Sequence, residues 1–393
     1  MRPLLSRRIR HLALAALAAA VALSLFAASA PAAAGSLPTG PVDRLMHRLV
    51  RMPGGPPGVA VLLQRQGFRE FGSAGVAQIG TSAPWRSSDH MRLASASKAF
   101  SGAVALSLVQ EGRLDLDGQI RGLLPWLPAH WEGVTVAQLL NHTSGLPDYS
   151  AEPAFGAYLA KHLHGYISPP SLIGFVAAEP LEFAPGSRYR YSNTDNIVVA
   201  LIVQALAGEP YSQLLRQRVA EPLHLNRTTL PAGFRLPEPF VHGYSAAANG
   251  RREDVSTALA MSAAWASGGM TSSVNDVNRF VRGYLGGRLF GRSVQQAQLQ
   301  FVDGRSEPPG PGLNAAGLGV FRYETRCGTV YGHTGNTIGY TQFIAASRNG
   351  KRSAIVSVNA QITPGADRPA VRRAFRVLRR LEEQAVCASF GRR

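Results

Sequence analysis

Apolar positions recur with different periods along this chain, and the periods mark out its elements in order. Between Val42 and Arg51, Leu45 and Leu49 stand four residues apart, which predicts a short helix with one face on a core. A Pro/Gly-rich break from Pro53 to Gly58 ends it. Val59–Gln64 and Phe68–Ala77 are rich in β-forming residues around Gln66-Gly67 and predict a hairpin. Leu93–Gln110 is apolar nearly throughout and predicts a long buried helix, stopped at Glu111-Gly112.

From about residue 112 to 300 helical segments alternate with loops holding Pro, Gly and Asn. Strand patterns then return at Gly317–Tyr323, Thr329–His333, Thr341–Ser347 and Ser353–Ala360, with Asn349-Gly350 as a two-residue turn between the last two. Pro369–Cys387 closes the chain as an amphipathic helix, with Val371, Phe375, Leu378 and Leu381 on one face. Strands at both ends with helices between predict an α+β fold. A mainly antiparallel sheet from both termini is flanked by helices, and an all-α lobe is added to it. The sheet lobe is expected at about 41–115 and 300–390, the helical lobe at about 116–299, and the site in the cleft between them.

Composition narrows the class. The chain has 393 residues, 45% hydrophobic and 17% charged, which is ordinary for a globular protein and excludes a disordered or repeat protein. Residues 1–34 carry a basic start (Arg2, Arg7, Arg8, Arg10), an apolar run from His11 to Ala28, and a small-residue cleavage site at Ala32-Ala33-Ala34. They are expected to be a signal peptide, with residues 35–393 exported to the periplasm or medium. Ala28-Ser29-Ala30 is a second cleavage candidate, and Ser6-Arg7-Arg8 resembles the start of a twin-arginine signal. Net charge is +17. The leader's four arginines leave about +13 on the rest, a balance suited to loose association with an anionic envelope. The arginines are scattered rather than interleaved with aromatics, so nucleic acid is not expected. Only three lysines occur, Lys98, Lys161 and Lys351. Two cysteines, Cys327 and Cys387, are expected to form one disulfide in an exported chain, where a reducing compartment would leave two thiols.

Three short motifs carry chemistry. Ser95-Ala96-Ser97-Lys98 places a hydroxyl and an amine one helical turn apart, so that the amine can take the serine proton once burial lowers its pKa. Tyr191-Ser192-Asn193 offers a proton-shuttling phenol and an amide to orient Lys98. His333-Thr334-Gly335 lies on a predicted strand, with a glycine that lets another backbone come close. Taken alone, the first two read better as an ordinary helix start and a turn with a surface tyrosine, and the third is a weak signal that chance would supply about once in such a chain. Their order and contexts together point to serine acyl transfer. His162-Leu163-His164 has ligand-like spacing but no acid nearby, so no metal or cofactor is expected. The absence of a G-x-S-x-G elbow argues against an α/β-hydrolase.

With these motifs, and with Leu139–Leu146 (LLNHTSGL), Phe183-Ala184-Pro185-Gly186 and Ser267-Gly268-Gly269-Met270, the chain resembles the class C β-lactamase-like serine hydrolases and penicillin-binding proteins over about residues 45–385. The resemblance implies an antiparallel sheet with an all-α lobe. It also implies Ser95 as nucleophile, Lys98 as its proton partner, Tyr191 as general base and acid, and Asn193 as the group that positions Lys98 and substrate. The backbone N–H groups of Ser95 and Asn336 would form the oxyanion hole. His333 stands where many β-lactamases of the group have lysine. It is expected to be an electropositive wall, with Thr334, Gly335 and Asn336 binding substrate and Thr334 holding a terminal carboxylate. The run from Tyr331 to Gly335 with Gly339-Tyr340 looks most like D-alanyl-D-alanine carboxypeptidases, so the expected partners are peptidoglycan-type D-Ala-D-Ala peptides or β-lactams, acted on by a monomer. Esterases, β-lactamases and non-hydrolytic penicillin-binding sensors of the group are the alternatives.

Overall fold

Strands from the two ends of the chain meet in one sheet. The computed structural model describes residues 40–246 and 251–391; the leader and its cleavage sites lie outside them. The elements that build the site are α1 (Pro41–Arg51), β1 (Gly58–Arg65), β2 (Phe68–Gly75), α2 (Ser97–Gln110), α3 (Asn193–Ala207), α4 (Val274–Leu285), β3 (Val302–Asp303), β4 (Leu313–Gly317), β5 (Val320–Thr325), β6 (Gly328–Thr337), β7 (Tyr340–Ala346), β8 (Ser353–Val358) and α5 (Pro369–Ser389). Strand order is β2-β1-β8-β7-β6-β5-β4-β3, and every neighbouring pair is antiparallel. The N-terminal hairpin joins the C-terminal strands through β1 and β8, with Val61 opposite Val356 and Leu62 opposite Ile355.

β1 is nearly all apolar because both faces of the sheet are covered. Val59, Val61 and Leu63 enter a core shared with Met46 and Leu49 of α1 and with Leu378 and Leu381 of α5. Ala60 and Leu62 point the other way, into the core that holds Phe100 of α2 and Phe280 of α4. Those two rings stack at 3.5 Å between centroids. The second core continues through the helical middle of the chain, where α3 buries Ile197 to Val203.

Three details depart from the pattern-based expectation. The long helix begins at Ser97 rather than Leu93, because Ala94–Ala96 forms a tight 3₁₀ turn. Two further strands, β3 at the sheet edge and most of β4 beside it, precede the first one expected. The link between β7 and β8 is a longer loop closed by Ser347 N–H on Arg352 O, not a two-residue turn. Tertiary contact sets that loop: Arg282 Nε of α4 donates to Gly350 O at 2.8 Å.

Cys327 and Cys387 are bridged, with Cα atoms 5.0 Å apart. The bridge ties the turn before β6 to the last turn of α5 and closes 60 residues of chain, a loop that disfavours the unfolded state by about 4 kcal/mol. A Cys327→Ser/Cys387→Ser protein is therefore expected to unfold at lower denaturant, with about 2–4 kcal/mol lost and a somewhat steeper slope, because the freed unfolded chain exposes more surface. Urea titrations of oxidised and reduced wild type check this, and coincident curves would remove the bridge as a stabilising element.

Candidate active site

The nucleophile's position is set by backbone packing. Ser95 sits in the middle of the 3₁₀ turn that leads into α2. Ala94 before it is left-handed, with φ of +51°, a conformation that costs a non-glycine residue free energy and persists only where the surroundings enforce it. They do so here. Ser97 Oγ donates to Ala94 O at 2.7 Å, Leu93 N–H donates to Met270 O at 2.9 Å, and Gln342 Nε2 of β7 donates to Arg92 O at 2.9 Å. β6 packs directly on this turn. A Cβ on Gly335 would stand 2.3 Å from Leu93 O and 3.0 Å from Ala96 N. The backbone that Gly335 admits is thus the protein's own nucleophile turn.

Lys98 is buried one helical turn on. Its Nζ lies 3.3 Å from Ser95 Oγ, 2.6 Å from Asn193 Oδ1 and 2.6 Å from Ser267 O. Burial lowers its pKa to about 7, although Asp148, Asp195 and Glu307 pull it back up. The last two contacts are to oxygens that can only accept. A neutral amine spends both N–H groups on them, and its lone pair is left facing Ser95. Asn193 is held in this orientation from behind, because its Nδ2 donates to Asp148 Oδ2 at 3.0 Å and to Ser150 Oγ at 2.8 Å.

Tyr191 precedes α3, and the Lys98 ammonium lies 5.0 Å from its ring centroid. Burial pushes the phenol well above its ordinary pKa; the Ser95 hydroxyl beside it works the other way, and no hydrogen bond of full geometry closes on the Tyr191 hydroxyl among the described residues. The resting group is a phenol. A protonated Tyr191 can give a proton, and Lys98, whose pKa burial lowers, can take one.

His333 is not an electropositive wall. It is buried against Phe321, 4.9 Å between ring centroids, and burial lowers its pKa to about 3, so the ring is neutral near pH 7. Its Nδ1 lies 2.5 Å from Thr334 O. Thr334 is equally committed: its hydroxyl donates to Pro308 O at 2.6 Å, which leaves no donor for a substrate carboxylate. Both corrections have one cause, the burial of β6 under neighbouring chain. Asn336, by contrast, lines the open cleft with Ser95, Tyr191 and Asn193. That cleft has a volume of about 660 Å³, and Arg305 and Glu307 stand on its other side.

Several participants carried no sequence signal. Glu307 sits in the loop between β3 and β4, among prolines and glycines, and only tertiary structure brings it to Ser95. Its carboxyl is pushed up by partial burial and by the nearby Asp148. Asp148 comes two residues after the LLNHTSGL segment, which was the one available clue. That segment also supplies His142 and Ser144. They bind the two Asp195 oxygens at 2.7 and 2.5 Å, beneath the Tyr191 ring, whose centroid is 4.5 Å from that of His142.

A serine hydroxyl, a buried amine of lowered pKa, a protonated phenol and an orienting amide at one cleft define a serine acyl-transfer hydrolase. The chain belongs to the beta-lactamase family, whose model matches residues 42–379. Penicillin-binding protein 4* of Bacillus subtilis is 30% identical over 173 residues, 43% of this chain but only 37% of that protein. Among solved structures, a D-stereospecific amidohydrolase from Streptomyces is 32% identical, with a TM-score of 0.72, covering 81% of this chain and 94% of that one. A D-amino acid amidase from Ochrobactrum anthropi, solved with L-phenylalanine amide, superposes with a TM-score of 0.76 over 88% of this chain and 98% of its own; at 24% identity it shares the fold.

Proposed function

We propose that this protein is a serine amidohydrolase that cleaves amide bonds following a D-configured residue whose ammonium group is free. One observation carries the reading: Glu307 lines the Ser95 cleft and Asp148 stands behind its wall residue Asn193, both coupled electrostatically to Lys98, while His333 is neutral and the Thr334 hydroxyl is already engaged, so neither is left for a terminal carboxylate. A substrate ammonium would relieve the mutual repulsion of the two acids. The D-configuration rests on likeness to the Streptomyces amidohydrolase.

In the reaction, neutral Lys98 takes the Ser95 proton as Oγ attacks the carbonyl carbon. The backbone N–H groups of Ser95 and Asn336 receive the oxyanion. Tyr191 gives its proton to the leaving nitrogen, the C–N bond breaks, and the acyl group remains on Ser95. The Tyr191 phenolate then takes a proton from water as the water attacks the acyl carbon, Lys98 returns its proton to Ser95 Oγ as the ester C–O bond breaks, and the acid is released.

A D-alanyl-D-alanine carboxypeptidase is the second reading, favoured by Arg305, whose guanidinium lines the same cleft and suits a carboxylate. The test compares D-phenylalanine amide, its N-acetyl derivative, its L-enantiomer, and a D-Ala-D-Ala peptide with and without C-terminal amidation. N-acetylation is expected to lower kcat/KM about tenfold or more, the cost of a lost charged hydrogen bond. If the D-Ala-D-Ala peptide is the better substrate and amidating its C-terminus slows cleavage, the carboxypeptidase reading replaces the first. Export of the mature chain, cut near Ala34, is supported by the basic and apolar leader, and N-terminal sequencing of secreted protein tests it.

A further inference from the structure

At the opposite end of β6 lies a second cavity, with a volume of about 670 Å³. Thr329 at the start of the strand lines it, six residues from Gly335, so at ~3.3 Å per residue it stands roughly 20 Å from the nucleophile turn. Its walls come from the β1–β2 turn, the β7–β8 loop, the end of α4, the helix Arg292–Gln298 and Phe390 after α5. Four cations line it, Arg292, Arg348, Lys351 and Arg352, and no carboxylate does. Among the described residues none of the four forms an ion pair, while eight other arginines of the chain do. Arg352 is held in place over the Phe390 ring at 4.9 Å, and Phe390 follows the disulfide-anchored end of α5. Behind the β7–β8 loop, burial and then repulsion from Arg288 lower the pKa of Arg282.

A concave site of this size with four unpaired cations and polar Gln, Asn, Ser and Thr groups matches one ligand chemistry. We infer that this cavity binds an anion bearing two or more phosphate groups, separately from the catalytic cleft. Guanidinium groups meet phosphate oxygens in paired hydrogen bonds, and a polyphosphate spans several cations at once. The phosphates can come from a soluble molecule or from lipid headgroups, and the same chemistry serves both.

Inorganic tripolyphosphate is the probe. Calorimetry of the full chain should show saturable one-to-one binding that weakens as salt rises. An Arg348→Ala/Lys351→Ala protein should bind at least tenfold more weakly while hydrolysing substrate at the wild-type rate. Amine acetylation of the wild type needs no variant. Saturating tripolyphosphate should slow labelling of Lys351 at least tenfold and leave exposed Lys161 unchanged. Vesicles of phosphatidylglycerol and of phosphatidylcholine separate the sources. Sedimentation with the former alone, reversed by tripolyphosphate, identifies headgroups, whereas tripolyphosphate binding without sedimentation identifies a soluble ligand. Absence of saturable binding, or equal labelling of Lys351 with and without the probe, would overturn the proposal.

Discussion

Replacing Ser95 by alanine is expected to abolish acyl-enzyme formation and lower kcat by at least about 10⁴, the scale of loss when a nucleophile is removed from a group that acts as a unit. The fold should survive, because Ser95 is only half-buried and its Oγ meets only cleft groups, Lys98 at 3.3 Å and the Tyr191 hydroxyl beside it. Binding should survive too, so a slow amide substrate should act as a competitive ligand of the variant. Mass spectrometry of wild type treated with a fluorescent penicillin should place any adduct on the peptide containing Ser95. An adduct at another residue, or near-normal turnover by the variant, would discard the assignment.

Lys98→Met is expected to lower kcat by about 10²–10⁴ with KM little changed, since the lost group moves a proton rather than holding substrate. The pH dependence should change with it. Burial sets the Lys98 pKa at about 7. Below that pH the amine carries a third proton and has no lone pair for Ser95, so wild-type kcat/KM should fall tenfold per unit on the acid side. On the alkaline side kcat should stay flat through pH 7–9, because Tyr191 remains a phenol there, while kcat/KM falls as the substrate ammonium, of a kind that titrates at about 7.7–8.0, loses its proton. A pH–rate profile in which the acid limb persists unchanged in Lys98→Met would assign that limb to another group. Tyr191→Phe should lose a similar factor but keep the acid limb, which separates donor from acceptor.

Much of this was legible in the chain. The β1 run from Gly58 to Leu63, the β-forming stretches after residue 317 and the 3.6-residue period of α5 are local patterns, and local patterns report burial. The spacing of Ser95 and Lys98 is likewise a local fact, because three residues of helix place two side chains on one face. The roles of His333 and Thr334 were not legible. Their charge and donor capacity depend on the chain that covers β6, including Pro308, which is 26 residues from Thr334 in sequence.

By itself the sequence determined the α+β architecture and the three motifs, since each is written in residue type and short-range spacing. Only the tertiary structure decided the electrostatics. Burial lowers the Lys98 pKa to about 7, the same burial keeps Tyr191 protonated and His333 neutral, and the β3–β4 loop delivers Glu307 to the cleft. The four cations of the second cavity are scattered over some 60 residues of sequence and converge only where strand ends and loops meet. Desolvation and convergence are properties of a packed surface, and no window of sequence contains them.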